Sequence, residues 1–494
     1  MYGEEKSDLL IVAAKLANNP QGAESVERRS GAKGNAEQPH MRRTQSRESM
    51  SQRLSRVREA AKQRKKERFT ALFHLLTAEA LENAFLSLSR KAAAGVDGVR
   101  WKDYAENLKV NIADLHRRLH QGSYRAQPGR RHYIPKADGK QRPLGIASLE
   151  DKIVQYALVK ILNAVYENDF MGFSYGFRPG RSQHNALDAL ATGLVRTNVN
   201  WVLDADISQF FDKVSHEWLI RFIEHRIGDQ RVIRLIRKWL TAGTSEEGEW
   251  RASEEGTPQG AVISPLLANI YLHYVFDLWA HQWRRRHATG NVVMVRYADD
   301  IVIGFDKRID AQCFRIAMQR RLKEFGLTVH PKKTRLMEFG RFAAENRASR
   351  GKGKPETFNF LGFTHISGKD RSGRFMLIRK TRRDRMTATL KAIKDGLRKR
   401  WHYSIPEQGK WLRRVVQGYL NYHSVPGNYP MMRKFRIYVT DLWRRALRRR
   451  SQQDDTTWTK ANRLAAVWLP KVRVLHPWPV ERFTARHPRQ EPGA

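Results

Sequence analysis

Cysteine is nearly absent from this sequence of 494 residues, in which Cys313 is the single example. One cysteine excludes a disulfide within the chain and a zinc site built from several cysteines. Because apolar residues flank Cys313, we expect a buried core thiol without a catalytic role. The short apolar patch at residues 9–14 follows acidic residues, unlike a secretory signal. Together these features predict a cytoplasmic protein.

Long hydrophobic runs are also missing, since no stretch approaches the roughly 18 apolar residues that span a membrane. Acidic residues are scarce: 50 Asp and Glu stand against 91 Lys and Arg, for a net charge of +41. Such an excess destabilises a compact chain by self-repulsion unless a polyanion neutralises it. The charge therefore predicts a nucleic-acid partner, bound through its phosphates, and no membrane partner. A ribosome-like structural protein and a binder of anionic membrane surfaces are the alternatives.

The length suggests roughly two to four domains, and composition and periodicity divide the chain into five segments. The first lacks periodicity and predicts a disordered arm. The second is basic and starts with a helix near Ser51. The third alternates strands and helices, the fourth is helical and very basic, and the fifth is a basic tail with Pro and Trp. In order, the segments are residues 1–50, 51–130, 131–370, 371–450 and 451–494.

Periodicity within the third segment predicts its elements. The Asp-Gly pair within residues 133–143 predicts a β-hairpin. Apolar residues predict a strand at 201–207, and two further strands at 292–296 and 301–305 joined by a tight turn. Helices are predicted at 150–166, 183–197, 265–286 and 310–325.

Carboxylates at the ends of these strands are the strongest chemical signal. Asp206 ends one strand, and Asp299 and Asp300 occupy the turn between two others. Three convergent carboxylates repel one another unless divalent cations neutralise them, and oxygen-only ligands favour magnesium. Two such ions can activate a 3′-hydroxyl and stabilise a pyrophosphate leaving group. A solvated acidic turn is the alternative, since such turns are common.

The surrounding motifs decide between these interpretations. Residues 297–300 read Tyr-Ala-Asp-Asp, and Asp299 lies 93 positions (299 minus 206) after Asp206. In this setting the segment resembles the palm of reverse transcriptases. Four further blocks that resemble the same family occur in its order, at residues 173–182, 256–271, 326–334 and 360–363. The resemblance covers about residues 70–445.

Within that family, the sequence is most similar to bacterial group II intron-encoded proteins, which are reverse transcriptases and maturases. The block Ala-Gly-Val-Asp-Gly-Val at residues 94–99 precedes the fingers, and the segment 409–423 resembles the maturase part of the thumb, domain X. The resemblance implies an α/β right-hand polymerase, with fingers and an antiparallel palm sheet over 131–370. An α-helical thumb or maturase domain is implied over 371–450.

The resemblance also assigns roles to residues of the metal site and the nucleotide site. Asp206, Asp299 and Asp300 are the implied catalytic carboxylates, and with Ile207 they would hold two Mg²⁺ ions. Phe211 matches the aromatic that crowds a ribose 2′-hydroxyl and so favours dNTPs; a core phenylalanine is the alternative.

Four polar side chains complete the implied nucleotide site. Gln259 would contact the incoming sugar and phosphate. Lys136 and Arg142 would clamp the triphosphate, unless they are plain surface charges. Lys332 or Lys333 would donate a proton to pyrophosphate, with a solvated lysine as the alternative. The neighbouring carboxylates Asp204 and Asp212 are expected to be structural.

Basic residues in two regions predict RNA contacts. In the fourth segment they alternate with Trp and Tyr, a mixture that suits folded RNA. Because the aromatics recur at helical spacing, we expect them to be buried while the basic residues face RNA. The predicted RNA-binding residues are Arg178, Arg181, Lys410, Arg413, Arg414, Arg444 and Arg445.

The sequence thus predicts an RNA-directed DNA polymerase that also promotes splicing and mobility of its intron. Its expected partners are structured intron RNA, an RNA template with a DNA primer, dNTPs and target DNA, with a homodimer left open. No cysteine follows Cys313, so the resemblance is to the forms that lack a cysteine-containing endonuclease domain. The resemblance implies that such a protein uses an exogenous primer. Its expected location is the bacterial cytoplasm at the nucleoid. A splicing cofactor with an idle polymerase and a domesticated enzyme of defence or repair are the alternatives.

Overall fold

The computed structural model describes residues 37–135, 141–450 and 456–486. Its first helix, α1 (Glu37–Gln63), begins before the predicted start near Ser51. Residues 37–50 are therefore helical, which corrects the prediction of a disordered arm for that part, while residues 1–36 lie outside the described residues. The helices that follow are α2 (Ala78–Ser87), α3 (Trp101–Glu106) and α4 (Leu108–His120).

Strands and helices then alternate, as the sequence predicts. Serine side chains cap the amino ends of several helices, which satisfies their free N–H groups. The elements are β1 (Gly129–Pro135), β2 (Gln141–Ile146), α5 (Leu149–Tyr166), α6 (Gln183–Arg196), β3 (Trp201–Asp206), α7 (His216–Glu224), α8 (Gln230–Thr241), β4 (Thr244–Glu246) and β5 (Glu249–Arg251).

The long helix predicted at residues 265–286 is present but contains a π-helical stretch at His273–Asp277. Single π-helical turns within α-helices are frequent at functional sites. The elements of this part are α9 (Ser264–Leu272), α10 (Leu278–Arg286), β6 (Val292–Tyr297), β7 (Asp300–Phe305), α11 (Arg308–Glu324), β8 (Arg335–Glu338) and α12 (Ala343–Ala348). Cys313, predicted to be buried, is exposed on α11, because it lies on the solvent side of that helix.

The chain ends in three strands and five helices within the described residues. They are β9 (Phe358–Phe360), β10 (Phe363–Lys369), β11 (Phe375–Thr381), α13 (Arg383–Arg398), α14 (Ile405–His423), α15 (Tyr429–Arg448), α16 (Trp458–Trp468) and α17 (Pro479–Arg486). Helices α13–α16, here called the C-terminal helical unit, enclose a core of their own around Leu412, Phe435 and Trp443.

Three sheets organise the remainder. The central sheet has the order β6-β7-β3-β8 with antiparallel neighbours, and helices α6 and α11 pack on it. A second sheet has the order β2-β1-β4-β5, in which β1 and β2 form the predicted hairpin. Strands β11-β10-β9 form the third. In the described part of the chain, no helix is long and apolar enough to cross a membrane.

Candidate active site

The central sheet brings the three predicted catalytic aspartates to one edge. Asp206 ends β3 and lies opposite Asp300, the first residue of β7, in the antiparallel register. Ala298 and Asp299 form the two-residue turn between β6 and β7, since Tyr297 pairs with Asp300. Ala298 has a φ of +56°, a left-handed conformation that costs energy for a residue with a Cβ. Contacts from the surrounding structure must therefore stabilise this turn.

A buried ion pair lies directly beneath the turn. Arg296 and Asp277 are fully buried, and the guanidinium donates from Nε and Nη2 to the two carboxylate oxygens at 2.7 and 2.5 Å. Its Nη1 donates to the carbonyl of Ala298 at 2.9 Å. The π-helical stretch brings Asp277 into this position. Sequence reasoning missed the pair, although an arginine in an otherwise apolar strand is a visible signal.

The same guanidinium connects the turn to the block at residues 173–182. It donates to Ser174 Oγ at 2.7 Å and to Asn269 Oδ1 at 3.1 Å, and the Asn269 amide donates to the carbonyl of Gly176 at 2.7 Å. A Cβ on Gly176 would lie 2.3 Å from the backbone nitrogen of Ala298. Only glycine therefore permits this close approach of the two backbones.

The charges at this edge of the sheet repel one another. Desolvation raises the pKa of Asp300 to about 7, with repulsion from Asp299, Asp206 and Asp204 adding to it. Desolvation also raises the pKa of Asp299. The Lys333 ammonium lies 2.7 Å from Asp206 Oδ2, so a cation already balances one of these carboxylates.

The donor chemistry fits a hard divalent cation, although the carboxylates are not yet gathered around one point. Among the described residues, no group of three or more His, Cys, Asp or Glu side chains is arranged to hold a metal ion. Asp206, Asp299 and Asp300 offer oxygen donors alone, which suit magnesium better than zinc. Ile207 has an apolar side chain, so only its backbone carbonyl can contribute.

Two predicted nucleotide-binding residues lie together next to this edge. Phe211 is half-buried in a short 3₁₀ turn, and its carbonyl accepts from the N–H of Thr257 at 2.7 Å. The Gln259 amide donates to Asp212 Oδ1 at 2.7 Å. Asp212 thus has the structural role expected for it, because it joins the 3₁₀ turn to the Gln259 loop.

The remaining residues predicted to contact the nucleotide differ in how close they lie to the aspartates. Arg142 is exposed on β2, and its charge partly offsets the desolvation that raises the pKa of Asp299. Lys332 is exposed on the surface, and its neighbour Lys333 is the lysine that contacts Asp206. Lys136 lies outside the described residues.

Arg178 and Arg181, for which RNA contacts are predicted, bond mainly within the fold. The Arg178 side chain is 2% exposed and binds both oxygens of Glu167 and the carbonyls of Met171 and Ser174. Burial lowers the pKa of Arg181 to about 10, and this residue donates to the carbonyls of Gly172 and Ser174. Both guanidinium groups therefore hold the 173–182 loop together, with Arg178 buried and Arg181 partly exposed.

The basic residues of the C-terminal helical unit divide into two groups. Arg413 donates to the carbonyls of Val467 and Trp468 at the end of α16, and Arg444 is half-buried against Asp441. These two side chains support the packing of helices. Lys410, Arg413, Arg414 and Arg445 are all exposed to solvent, although Arg445 Nη2 lies 2.7 Å from Asp441 Oδ2. The expectation of buried aromatics holds for Trp443 and Tyr419, which are 1% and 8% exposed.

Comparison with known proteins agrees with this geometry. Residues 134–365 match the family described as reverse transcriptase (RNA-dependent DNA polymerase). Protein YkfC of Escherichia coli (strain K12) is 43% identical over 206 residues, which are 41% of this chain and 54% of that protein. Group II intron-encoded protein LtrA of Lactococcus lactis subsp. cremoris is 37% identical over 223 residues, or 44% of this chain and 37% of that protein.

A third relative is similar at lower sequence identity. Nuclear intron maturase 2, mitochondrial, of Arabidopsis thaliana is 29% identical over 110 residues, which cover 22% of this chain and 15% of that protein. The matched region spans about half of YkfC and about a third of LtrA. The mixed α/β fold with antiparallel sheets that the sequence predicts is confirmed.

Proposed function

Because residues 134–365 form a reverse transcriptase domain of the kind found in group II intron-encoded proteins, we propose that this chain is an RNA-directed DNA polymerase that also acts as a maturase. The observation that carries the proposal is the register that sets Asp206 opposite Asp300 across β3 and β7, with Asp299 in the adjoining turn. Mutual repulsion at this edge favours a bound cation.

In the proposed site, Asp206, Asp299 and Asp300, with the carbonyl of Ile207, would hold two Mg²⁺ ions. When bound, such ions activate a primer 3′-hydroxyl and stabilise the pyrophosphate that leaves. Desolvation, with repulsion from the neighbouring carboxylates added to it, raises the pKa of Asp300 to about 7, and bound cations would relieve that repulsion. Lys333, now paired with Asp206, would be displaced toward the leaving group and could protonate it there.

The other side chains of the site would select and orient the nucleotide. The Phe211 carbonyl accepts from the Thr257 N–H and the neighbouring Asp212 binds the Gln259 amide, which supports a role in which the Phe211 ring would exclude a ribose 2′-hydroxyl. The Gln259 amide, bound to Asp212 here, would contact the sugar and phosphate. Arg142, with Lys136 from the connection between β1 and β2, would bind the triphosphate oxygens.

The proposed partners follow from charge and from the relatives. A net charge of +41 requires polyanions, and LtrA is a group II intron-encoded protein. We therefore include structured intron RNA, an RNA template annealed to a DNA primer, dNTPs and target DNA. The setting proposed is the bacterial cytoplasm at the nucleoid, and light scattering would decide between a monomer and a homodimer.

The test is primer extension on an RNA template with dNTPs and Mg²⁺. Wild type should synthesise DNA and Asp299→Ala should not, because the variant lacks a metal ligand. Asp370→Ala, which changes an exposed aspartate in the turn between β10 and β11, is the matched control and should remain active. RNA binding should persist in Asp299→Ala.

Two outcomes would contradict the proposal. If wild type makes no DNA but still binds a folded intron RNA tightly, the chain is a splicing cofactor with an idle polymerase. If Asp299→Ala loses RNA binding and synthesis together, Asp299 is not a separate metal ligand.

A further inference from the structure

The last described segment, residues 474–486, crosses from the C-terminal helical unit to helix α6 beside the central sheet. We call it the strap. At its beginning, the N–H groups of Leu475 and His476 both donate to the carbonyl of Ser424, at 3.0 and 3.1 Å. At its end, α17 packs along α6. The strap thus has one attachment on each of two separate cores.

The attachment to α6 is a nearly buried ion pair. Arg482 binds both carboxylate oxygens of Asp188, with Nη2 at 2.9 Å from Oδ1 and Nε on the other oxygen. The side chains are 13% and 3% exposed. Arg379 of β11 lies 3.5 Å from the same carboxylate. One aspartate of α6 therefore fixes the strap and strand β11 together, and its removal would leave a buried guanidinium without a counter-charge.

His476 connects this ion pair to the helical unit. Its Nε2 lies 2.7 Å from the carbonyl of Asn421 on α14, and its Nδ1 lies 2.7 Å from Arg482 Nη1. Since the carbonyl can only accept and the guanidinium can only donate, the ring is neutral with its proton on Nε2. Burial lowers the pKa of His476, which agrees with a neutral ring. The geometry fixes one tautomer and one orientation.

From His476 the contacts continue to the turn at Leu361. Its ring stacks on His184 with centroids 4.1 Å apart, and His184 contacts the Tyr422 ring at 5.0 Å. The Tyr422 hydroxyl donates to the carbonyl of Leu361 at 2.8 Å. The strap is therefore linked through the rings of His184 and Tyr422 to the turn at Leu361.

The turn at Leu361 and Gly362 depends on this support. Both residues have positive φ, +44° and +80°, and for leucine that conformation is strained. A Cβ on Gly362 would lie 3.4 Å from the Tyr422 ring, so the ring covers the turn directly. A shift of Tyr422 would remove the hydrogen bond that holds the strained residue.

We propose that the strap is a positioning device, which sets the C-terminal helical unit on helix α6 beside the central sheet and fixes the Leu361–Gly362 turn through Tyr422. Arg482 and His476 are its positioning residues. Its effect on synthesis rests on the proposed polymerase function: a loosened strap would weaken retention of the primer–template while the chemistry at the aspartates stays intact. The physical link between strap and turn does not depend on that function.

The experiment compares Arg482→Ala, Arg482→Lys and the matched control Glu481→Ala, an exposed residue of the same helix. The first readout is amide hydrogen exchange at Leu475, at His476 and at Arg382, whose N–H donates to the carbonyl of Gly362. Arg482→Ala should exchange faster at all three amides. Arg482→Lys should restore part of the protection, and Glu481→Ala should match wild type.

The second readout is steady-state primer extension. In Arg482→Ala we expect KM for primer–template to rise about tenfold with kcat little changed, a factor that corresponds to about 1.4 kcal/mol. A fall in kcat at unchanged KM, or exchange at Arg382 equal to wild type, overturns the proposal. If wild type makes no DNA, the polymerase proposal fails by itself, and exchange at Arg382 alone then supports or overturns the strap.

Discussion

Arg296 shows how much of a catalytic site can depend on a residue that never touches substrate. Its guanidinium is fully buried and binds Asp277, Ala298, Asn269 and Ser174 at once. A buried charge is costly unless all its hydrogen-bonding groups have partners. Here the partners come from three separate parts of the chain, so the ion pair determines the position of the Asp299 turn relative to the 173–182 loop.

Replacing Arg296 alone should therefore affect stability and activity by different routes. We expect Arg296→Met to lower the free energy of unfolding by about 3–5 kcal/mol, because Asp277 is left buried without a counter-charge. The double variant Arg296→Met/Asp277→Leu should recover part of that stability. DNA synthesis should stay reduced by roughly a hundredfold in both, since the turn loses its support. Chemical denaturation and primer extension measure the two quantities, and activity that returns with stability would contradict the positioning role.

Phe211 permits a separate test at the scale of one residue. Its half-buried ring sits in the 3₁₀ turn held by Thr257, so truncation opens space at the nucleotide without unfolding the turn. Phe211→Ala should incorporate rNTPs more readily than wild type, while dNTP use changes less. Phe210→Ala, which removes the buried neighbouring ring, is the control that should lose stability. Unchanged discrimination in Phe211→Ala would make the ring a core residue alone.

At the scale of elements, the hairpin β6–β7 and the 173–182 loop behave as one body. The N–H of Tyr175 donates to the carbonyl of Arg296 at 2.8 Å, and the N–H of Arg296 donates to the carbonyl of Phe173 at 2.8 Å. Gly176 then brings the loop against Ala298. The loop therefore adds a short parallel bridge to the hairpin.

A single methyl group tests this close approach. Gly176→Ala would place a Cβ 2.3 Å from the backbone nitrogen of Ala298, so the catalytic turn must move. We expect a loss of synthesis of roughly a hundredfold. Gly353→Ala, at a glycine with open space around it, should behave as wild type. Both variants are assayed by primer extension. A fully active Gly176→Ala enzyme would show that the 173–182 loop moves to accommodate the methyl group while the catalytic turn keeps its position.

The sequence predicts the elements of this site better than it predicts their partners. Apolar strands and the Tyr-Ala-Asp-Asp turn predict the hairpin, because a two-residue turn fixes the register of β6 against β7. The partner of Arg178 could not be predicted in this way. A basic residue in a polar loop is expected to be exposed to solvent, and only the tertiary fold brings Glu167 next to it. The same is true of Arg482 and Asp188, which lie 294 residues apart.

On the scale of the whole molecule, the net charge of +41 overstates the surface that is available to nucleic acid. Several arginines are interior groups with internal acidic partners: Arg178, Arg226, Arg296 and Arg379. Phosphate contacts must come from the exposed cations. In the C-terminal helical unit these include Lys410 and Arg414. Arg445 is exposed but paired with Asp441, and Arg413 and Arg444 bond within the fold.

The salt dependence of RNA binding can separate these two groups. A protein that contacts 6–10 phosphates loses about 10³–10⁵ in affinity between 50 and 200 mM salt, and each lost contact lowers the slope of log K against log salt by roughly 0.7–0.9. We expect the wild-type protein to lose affinity on this scale. Lys410→Ala, Arg414→Ala and Arg445→Ala should each reduce the slope, whereas Arg413→Ala should leave it unchanged and lower the melting temperature. Titration of a folded intron RNA at several salt concentrations gives both quantities. Equal slopes for Arg413→Ala and Arg414→Ala, both lower than wild type, would mean that Arg413 leaves the end of α16 to bind RNA.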